Sequence, residues 1–301
     1  MSAAGHDVLV HSVALMDTVI TFEVIGHGNT AAQRADRAAA VERAVGWFRE
    51  VESCCTRFDP ASELSALCAR VGEPVEVSPL LFEAVRFALA LASDTDGAFD
   101  PTVGNTMASR GFDVEYKSGA TLQRAAASSA ASFRDVRLDE TNRTVTLDRT
   151  LMLDLGAVAK GLAVDVAARE LAPLEDFAID AGGDVYAAGQ NAAGKPWAIG
   201  IRHPRRRDAR IETVHVSGSA VCTSGDYERR GTHDASHIID PRTGAEAAAV
   251  ASATVIAPAA MVADGLATAA FVLGPVDGIA LLERHGVRGI LFTPSLERFA
   301  T

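Results

Sequence analysis

The sequence is short of the residues that mark several familiar classes of protein. It has 4 cysteines in 301 residues, Cys54, Cys55, Cys68 and Cys222. None forms a Cys-x-x-Cys pair and no paired histidines stand at zinc-finger distance, so neither a zinc ribbon nor a redox dithiol motif is indicated. The four read as small buried thiols of a reducing compartment. A bridge between the neighbours Cys54 and Cys55 would strain its geometry. No apolar run reaches about 18 residues, so no transmembrane helix is expected. The first residues, MSAAGHDVLVHSVALMDT, lack a basic start followed by an apolar core, a cleavage site or a lipid-attachment cysteine. A cytoplasmic protein with no stable membrane anchor is the expectation. Basic residues are outnumbered, 28 Lys and Arg against 39 Asp and Glu, for a formal net charge of −11. Nucleic-acid partners need a basic footprint, so none is expected. An anionic ligand has to be held by local devices: a metal ion, a helix N-terminus or a few basic side chains.

Apolar residues are plentiful, at 48% with a mean hydropathy of +0.13. That is enough for a core and excludes disorder as the main state. The length allows one large domain or two small ones. With no internal repeat, linker or clear boundary, one domain over residues 1–301 is expected. Residues 8–25 are rich in β-branched side chains and read as one bent strand or two. Residues 31–55 switch to helical period, with Ala38, Val41, Val45, Phe48 and Val51 on one face. Ser78-Pro79 opens a second helix, Ser as N-cap and Pro in the first turn, which ends before Asp96-Gly97. Thr121–Ser132 reads as helix, residues 133–148 as a hairpin turning at Asp139–Asn142, and residues 157–172 as helix after the strand LMLDL. Short strands then dominate from 177 to 257: FAID, DVYAAG, WAIGIR, IETVHVSG, AVCTS, HIID and ASATVIA. Helices are expected at Ala259–Leu273 and Val276–His285, with a last strand at Arg288–Thr293. Strands that follow one another directly favour antiparallel pairing. The expected class is α+β, with largely antiparallel sheets and packed helices.

Several segments carry chemistry. Gly26-His27-Gly28-Asn29-Thr30-Ala31 formally matches a dinucleotide fingerprint. The strand before it is long and partly polar and no βαβ continuation follows, so a plain turn is the better reading. In Asp154-Leu155-Gly156-Ala157-Val158-Ala159-Lys160-Gly161 a strand ends in an acid and a helix begins that carries a lysine. Helix-start amides attract phosphate, and Lys160 adds a charge or is an ordinary surface residue. Asp180-Ala181-Gly182-Gly183-Asp184 is a tight turn or a close backbone approach. Asp264 and Thr268 stand four apart on a helix, so their oxygens share a face. They suit a hard cation such as Mg²⁺, or bond to each other. Gly265 between them is costly in a helix and implies close packing or function. His237-Ile238-Ile239-Asp240-Pro241-Arg242-Thr243-Gly244 places a proton-exchanging residue before turn chemistry. Gly97-Ala98-Phe99-Asp100 sets an aromatic beside an acid after a helix. The basic run Arg202-His203-Pro204-Arg205-Arg206-Arg207 is a solvated hairpin loop or steers a phosphorylated or acidic ligand.

Taken in order, Met16-Asp17-Thr18, FDPASELS at 58–65, GAFDPTVG at 97–104, DLGAVAKG at 154–161, DAGGD at 180–184, TSGDYERR at 223–230, HIIDPRTG at 237–244 and ADGLATA at 263–269 resemble the ApbE family, the FAD:protein FMN transferases. The resemblance spans nearly the whole chain. It implies a two-lobed, T-fold-like α+β architecture with FAD as substrate. FMN would pass to a threonine hydroxyl of a client flavoprotein and AMP would leave. By position, FAD would contact Met16, Phe58, Ala98, Phe99, Asp100, Asp154, Lys160 and His237 or Ile238. Mg²⁺ would take the Ala157 carbonyl, Asp264 and Thr268. His237 is the candidate base for the threonine, with Asp180 and Asp184 as competitors. Phe58 and Phe99 would hold a ring of the dinucleotide. The chain departs from the family pattern at Asp17, where many members have glycine. It departs again at Ala267, where some carry an acid. An FAD pyrophosphatase and a non-catalytic flavin-binding module are the rival readings.

Overall fold

A computed structural model describes residues 7–28, 30–114, 131–227 and 237–301. The β-branched start forms two strands, β1 (Asp7–Leu15) and β2 (Thr18–Gly26), in register from Asp7↔Gly26 to Leu15↔Thr18. Met16 and Asp17 turn between them at φ 51° and 58°. That left-handed pair is the two-residue geometry which matches strand twist. Asp tolerates it; Met does so only under strain. Next come α1 (Ala31–Cys55), the short α2 (Glu63–Cys68), β3 (Val75–Glu76), α3 (Pro79–Asp94) and α4 (Gly104–Ser109). Thr30 and Gln33 form a capping box on α1, and Ser78 caps α3 by accepting the Leu81 N–H. The hairpin β4 (Val136–Asp139) and β5 (Thr144–Leu147) joins β3 in a small sheet. After it stand α5 (Gly156–Leu171), β6 (Phe177–Ala181), β7 (Asp184–Ala188), β8 (Trp197–Arg202), β9 (Arg210–Val216), β10 (Ser219–Gly225) and β11 (Ser252–Ala257). The chain closes with α6 (Ala260–Leu273), α7 (Pro275–Arg284), β12 (Arg288–Phe292) and β13 (Arg298–Ala300).

The main sheet has the order β1-β2-β6-β7-β10-β11-β12-β13. Every neighbouring pair in it is antiparallel. Side-chain alternation divides its apolar residues between two clusters. Phe22, Ile179, Ala220, Val255 and Leu291 point into the helical layer of α1, α3, α5 and α6. Ile25, Val221, Ile256 and Ile290 point the other way, onto Trp197, Ile201, Val214 and Val216 of the β8–β9 hairpin. The class is α+β with antiparallel sheets, as the run of consecutive strands implies. β2 pairs antiparallel with both neighbours, which removes the dinucleotide reading of Gly26–Ala31.

Some expectations need correction. In α1 the buried stripe runs through Arg37, whose guanidinium bonds Asp7 at 2.6 Å and the Gly28 carbonyl at 2.8 Å, and Ala38 is exposed. LMLDL and HIID are not strands: each makes a single bridge, Val103↔Met152 and Ile239↔Glu246. The short α2 has no counterpart among the expected helices, and β13 lies beyond the expected last strand. Residues 121–130 of the helix read at Thr121–Ser132 lie outside the described residues.

Candidate active site

The start of α5 gathers four of the segments that stood apart in sequence. The Asp154 N–H donates to the Pro101 carbonyl at 2.7 Å, fixing GAFDPTVG against DLGAVAKG. Asp154 Oδ1 accepts the Gly156 N–H at 2.9 Å, and Oδ2 lies 2.9 Å from Arg57 Nε. The Arg57 side chain is 9% exposed. It donates from Nη2 to the Phe112 carbonyl at 2.6 Å, and its guanidinium stands 4.4 Å over the Phe58 ring. The Phe112 ring in turn meets the His237 ring edge-on at 6.4 Å. Arg57 therefore links FDPASELS, the α5 start and, through Phe112, the histidine loop. The N-terminal end of α5 adds its own partial positive charge.

Lys160, one turn along α5, donates to Asp184 Oδ2. Asp184 is buried at the head of β7, and its Oδ1 also accepts the Thr223 N–H from β10 at 3.3 Å. This carboxylate is thus engaged from two sides. Asp180 lies on the exposed side of the adjoining turn and accepts the Gly183 N–H at 2.8 Å. Gly182 and Gly183 make that turn at φ 66° and 99°. A Cβ on Gly182 would fall 2.1 Å from Thr18 Oγ1, so this turn sits directly beside the Met16-Asp17 turn. The Met16 N–H donates to Glu52 Oε1 at 2.8 Å, which anchors the strained turn to α1.

α6 crosses α5 closely enough that a Cβ on Gly161 would lie 2.6 Å from Met261 Cα. Asp165, a turn further along α5, caps α6 by accepting the Ala260 N–H at 2.6 Å and the Met261 N–H at 3.0 Å. Burial raises the Asp165 carboxyl, and those two amides oppose the rise only in part. Both contacts fall at the N-terminal end of α6, and Asp264 follows one turn further along that helix. Asp264 is 7% exposed. Thr268, on the same face, bonds Ser224 at the end of β10, Oγ1 to Oγ 3.0 Å. Cys222, fully buried on β10, has its thiol pushed well up by burial; the Asp264 charge adds to this and Lys160 opposes it. Gly265 has a packing cause: a Cβ there would meet Leu91 and Phe87 of α3 at 2.9 Å. Ala267 is fully buried in the helical core.

The remaining candidates take scaffold positions. Ala98, Phe99 and Ile238 are buried in the main core. That is the packing alternative for Phe99. Asp100 accepts from Thr102 N–H at 2.8 Å, Thr102 Oγ1 at 2.7 Å and Phe133 N–H at 3.1 Å. Arg57, Phe112, Asp165 and Ser224 were not singled out from sequence. Arg57 directly precedes FDPASELS, but no spacing rule marks it, since its partners are remote in the chain.

The side-chain donors here are all hard oxygens: the Asp264 carboxylate and the hydroxyls of Thr268 and Ser224. That set suits Mg²⁺, which takes few protein oxygens and fills its other positions with water or phosphate. Among the described residues no group of three or more His, Cys, Asp and Glu is placed to hold a metal ion. No helix among them is long and apolar enough to cross a membrane.

Known proteins resemble this chain in sequence and in fold. The chain is 32% identical over 271 residues to the FAD:protein FMN transferase of Haemophilus influenzae, covering 84% of this chain and 78% of that one. Its fold superposes on the ApbE protein of Thermotoga maritima with a TM-score of 0.84 at 28% identity, over 97% of this chain and 96% of that one. The flavin transferase ApbE of Vibrio cholerae gives 0.84 and 28%, over 98% and 97%. A sequence model of the ApbE family matches residues 16–291, and the chain belongs to that family.

Proposed function

We propose that this enzyme moves FMN from FAD to a threonine hydroxyl of a client flavoprotein and releases AMP. The observation that carries the reading is the convergence of Asp264, Thr268 and Ser224 with Lys160 and the α5 start. A carboxylate and hydroxyls suited to a divalent cation stand beside two devices that favour phosphate. The acceptor Oγ attacks the FMN-side phosphorus. A new P–O bond forms, the bond to the bridging oxygen breaks, and AMP leaves with that oxygen and its electron pair. His237 takes the hydroxyl proton. Lys160 and the α5 amides balance charge on the diphosphate, and Arg57 holds Phe58 and Asp154 in place around the nucleotide. Mg²⁺, held by Asp264, Thr268 and the Ala157 carbonyl, supplies electrostatic stabilisation of the phosphoryl oxygens when bound.

Transfer and hydrolysis share the same bond cleavage and differ in the acceptor. Incubation with FAD and Mg²⁺, with AMP followed by chromatography, separates them. Transfer predicts slow AMP formation alone and acceleration by an acceptor protein that gains the FMN mass. Rapid release of free FMN and AMP without an acceptor would make the protein a pyrophosphatase. A yellow protein that forms no AMP would make it a flavin carrier.

A further inference from the structure

The arginine loop between β8 and β9 plays no part in the site above. Residues 202–210 hold Arg202, Arg205, Arg206, Arg207 and Arg210 against one acid, Asp208, in a chain of net charge −11. The loop is built, not loose. His203 is buried; its N–H donates to the Ala209 carbonyl at 2.8 Å, and its Nδ1 accepts the Arg205 N–H at 3.1 Å. The Ala209 N–H returns to the Arg206 carbonyl at 3.2 Å. Arg206 and Arg207 are exposed at its tip. At its base Arg202 and Arg210 are direct cross-strand partners, next to a break in register. Like charges directly opposite each other destabilise a hairpin. Each has a separate support: Arg202 lies 5.1 Å over the Tyr227 ring, and the Arg210 stem occupies the space a Cβ on Gly200 would need. The fold thus gathers five arginines on one loop of an acidic molecule, two of them face to face across the hairpin.

The loop also has a fixed relation to the site. Arg205 grips the Asp226 carboxylate with both terminal nitrogens, at 2.7 and 2.8 Å. Asp226 follows Ser224 and Gly225 at the end of β10, and Ser224 bonds Thr268. The loop is therefore tied to the chain two residues beyond Ser224. The Arg205–Asp226 fork shows the geometry in which this loop takes a carboxylate.

We infer that Arg206 and Arg207, with Arg210, form a docking surface for an acidic segment of the acceptor protein. The inference rests on the transferase reading, since it names the partner of that reaction. A peptide is favoured over nucleic acid or an anionic membrane, because both polyanions would also meet the acidic remainder of the molecule.

The test is equilibrium binding, read by fluorescence anisotropy without FAD or metal. The probes are a labelled peptide with a threonine flanked by aspartates and glutamates, and its counterpart with asparagines and glutamines. The acidic peptide should bind about tenfold more tightly at low ionic strength and lose that advantage as salt is added. The double variant Arg206→Glu, Arg207→Glu should abolish the difference while circular dichroism and acceptor-free AMP release stay unchanged. Equal binding of the two peptides, or unchanged affinity in the charge-reversed variant, would overturn the inference. So would tighter binding of a DNA oligonucleotide or of phosphatidylserine vesicles than of the acidic peptide. Because binding is read without FAD, failure of the transferase reading leaves this result intact, and failure of docking leaves AMP release intact.

Discussion

Asp264 and Thr268 show what spacing discloses: four residues apart on a helix puts two oxygens on one face, and Ser224 joins them from another element. Lys160 was legible in the same way, as a charge in the first turns of a helix. Arg57 was not. Its partners are Asp154 and Phe112, the latter 55 residues away, and proximity of that kind is created only by folding. Phe99 was ambiguous, because an aromatic ring beside an acid serves a ligand or a core equally well, and the ring packs in the core. Arg57→Lys keeps the charge but loses the fork that spans Asp154 and Phe112. The expected outcome is a lower melting temperature and a several-fold higher KM for FAD. Unchanged values for both would deny Arg57 its linking role. His237→Ala should lower kcat by about 10²-fold or more, the usual scale of general-base loss, while FAD still binds. Lost FAD binding with normal turnover of bound FAD would make His237 a binding residue.

Among elements, those with enough turns to show a period were readable. α1, α3, α5, α6 and α7 lie close to where apolar spacing and caps place them. α2 and α4 are six residues each, too short for a period to emerge. HIID has the apolar pair of a strand, but among the described residues its buried Ile238 and Ile239 meet only the 246–247 segment, through the Ile239↔Glu246 bridge and the Ala247 N–H bond to the Ile238 carbonyl. The α5–α6 crossing decides the site, and it depends on Gly161. A Cβ there would lie 2.6 Å from Met261 Cα and 2.7 Å from Ala260 C, both backbone atoms that cannot turn aside. Gly161→Ala should force the helices apart, cost about 1–3 kcal/mol of stability and displace Asp264 from the α5 start. Melting curves and AMP release check this. A variant as stable and active as the parent would show that the crossing tolerates separation.

At the scale of the molecule, consecutive strands announced antiparallel pairing, but the strand order was not legible. β2 and β6 are neighbours in the sheet, yet α1 to α5 lie between them in the chain, and only the completed core decides that pairing. Charge pairs then stitch distant elements. Hydrogen bonds from Arg43 hold Glu170 below its ordinary range, joining α1 to α5. Arg298 does the same for Glu212, joining β13 to β9, and Arg242 for Asp240 within the histidine loop. Each folded-state pKa is depressed. Their stabilisation is therefore complete above the unfolded carboxylate range, about 4, and is lost as pH falls through the lower folded values. These three contributions should be lost below about pH 4, whereas Asp165, raised by burial, is relieved on protonation. Replacing Arg43, Arg242 and Arg298 by Ala should lower the melting temperature at neutral pH and leave it nearly unchanged below about pH 3. An equal loss at both would contradict these pairings.

The most direct measurement is intact-mass spectrometry of candidate acceptor proteins co-expressed with the parent enzyme or with Asp264→Ala. The parent should add one FMN phosphoryl mass to a threonine of the acceptor. Asp264→Ala should fold normally and add none. Equal labelling by the two proteins would contradict the claim that the Asp264, Thr268 and Ser224 oxygens form the centre of the transfer site.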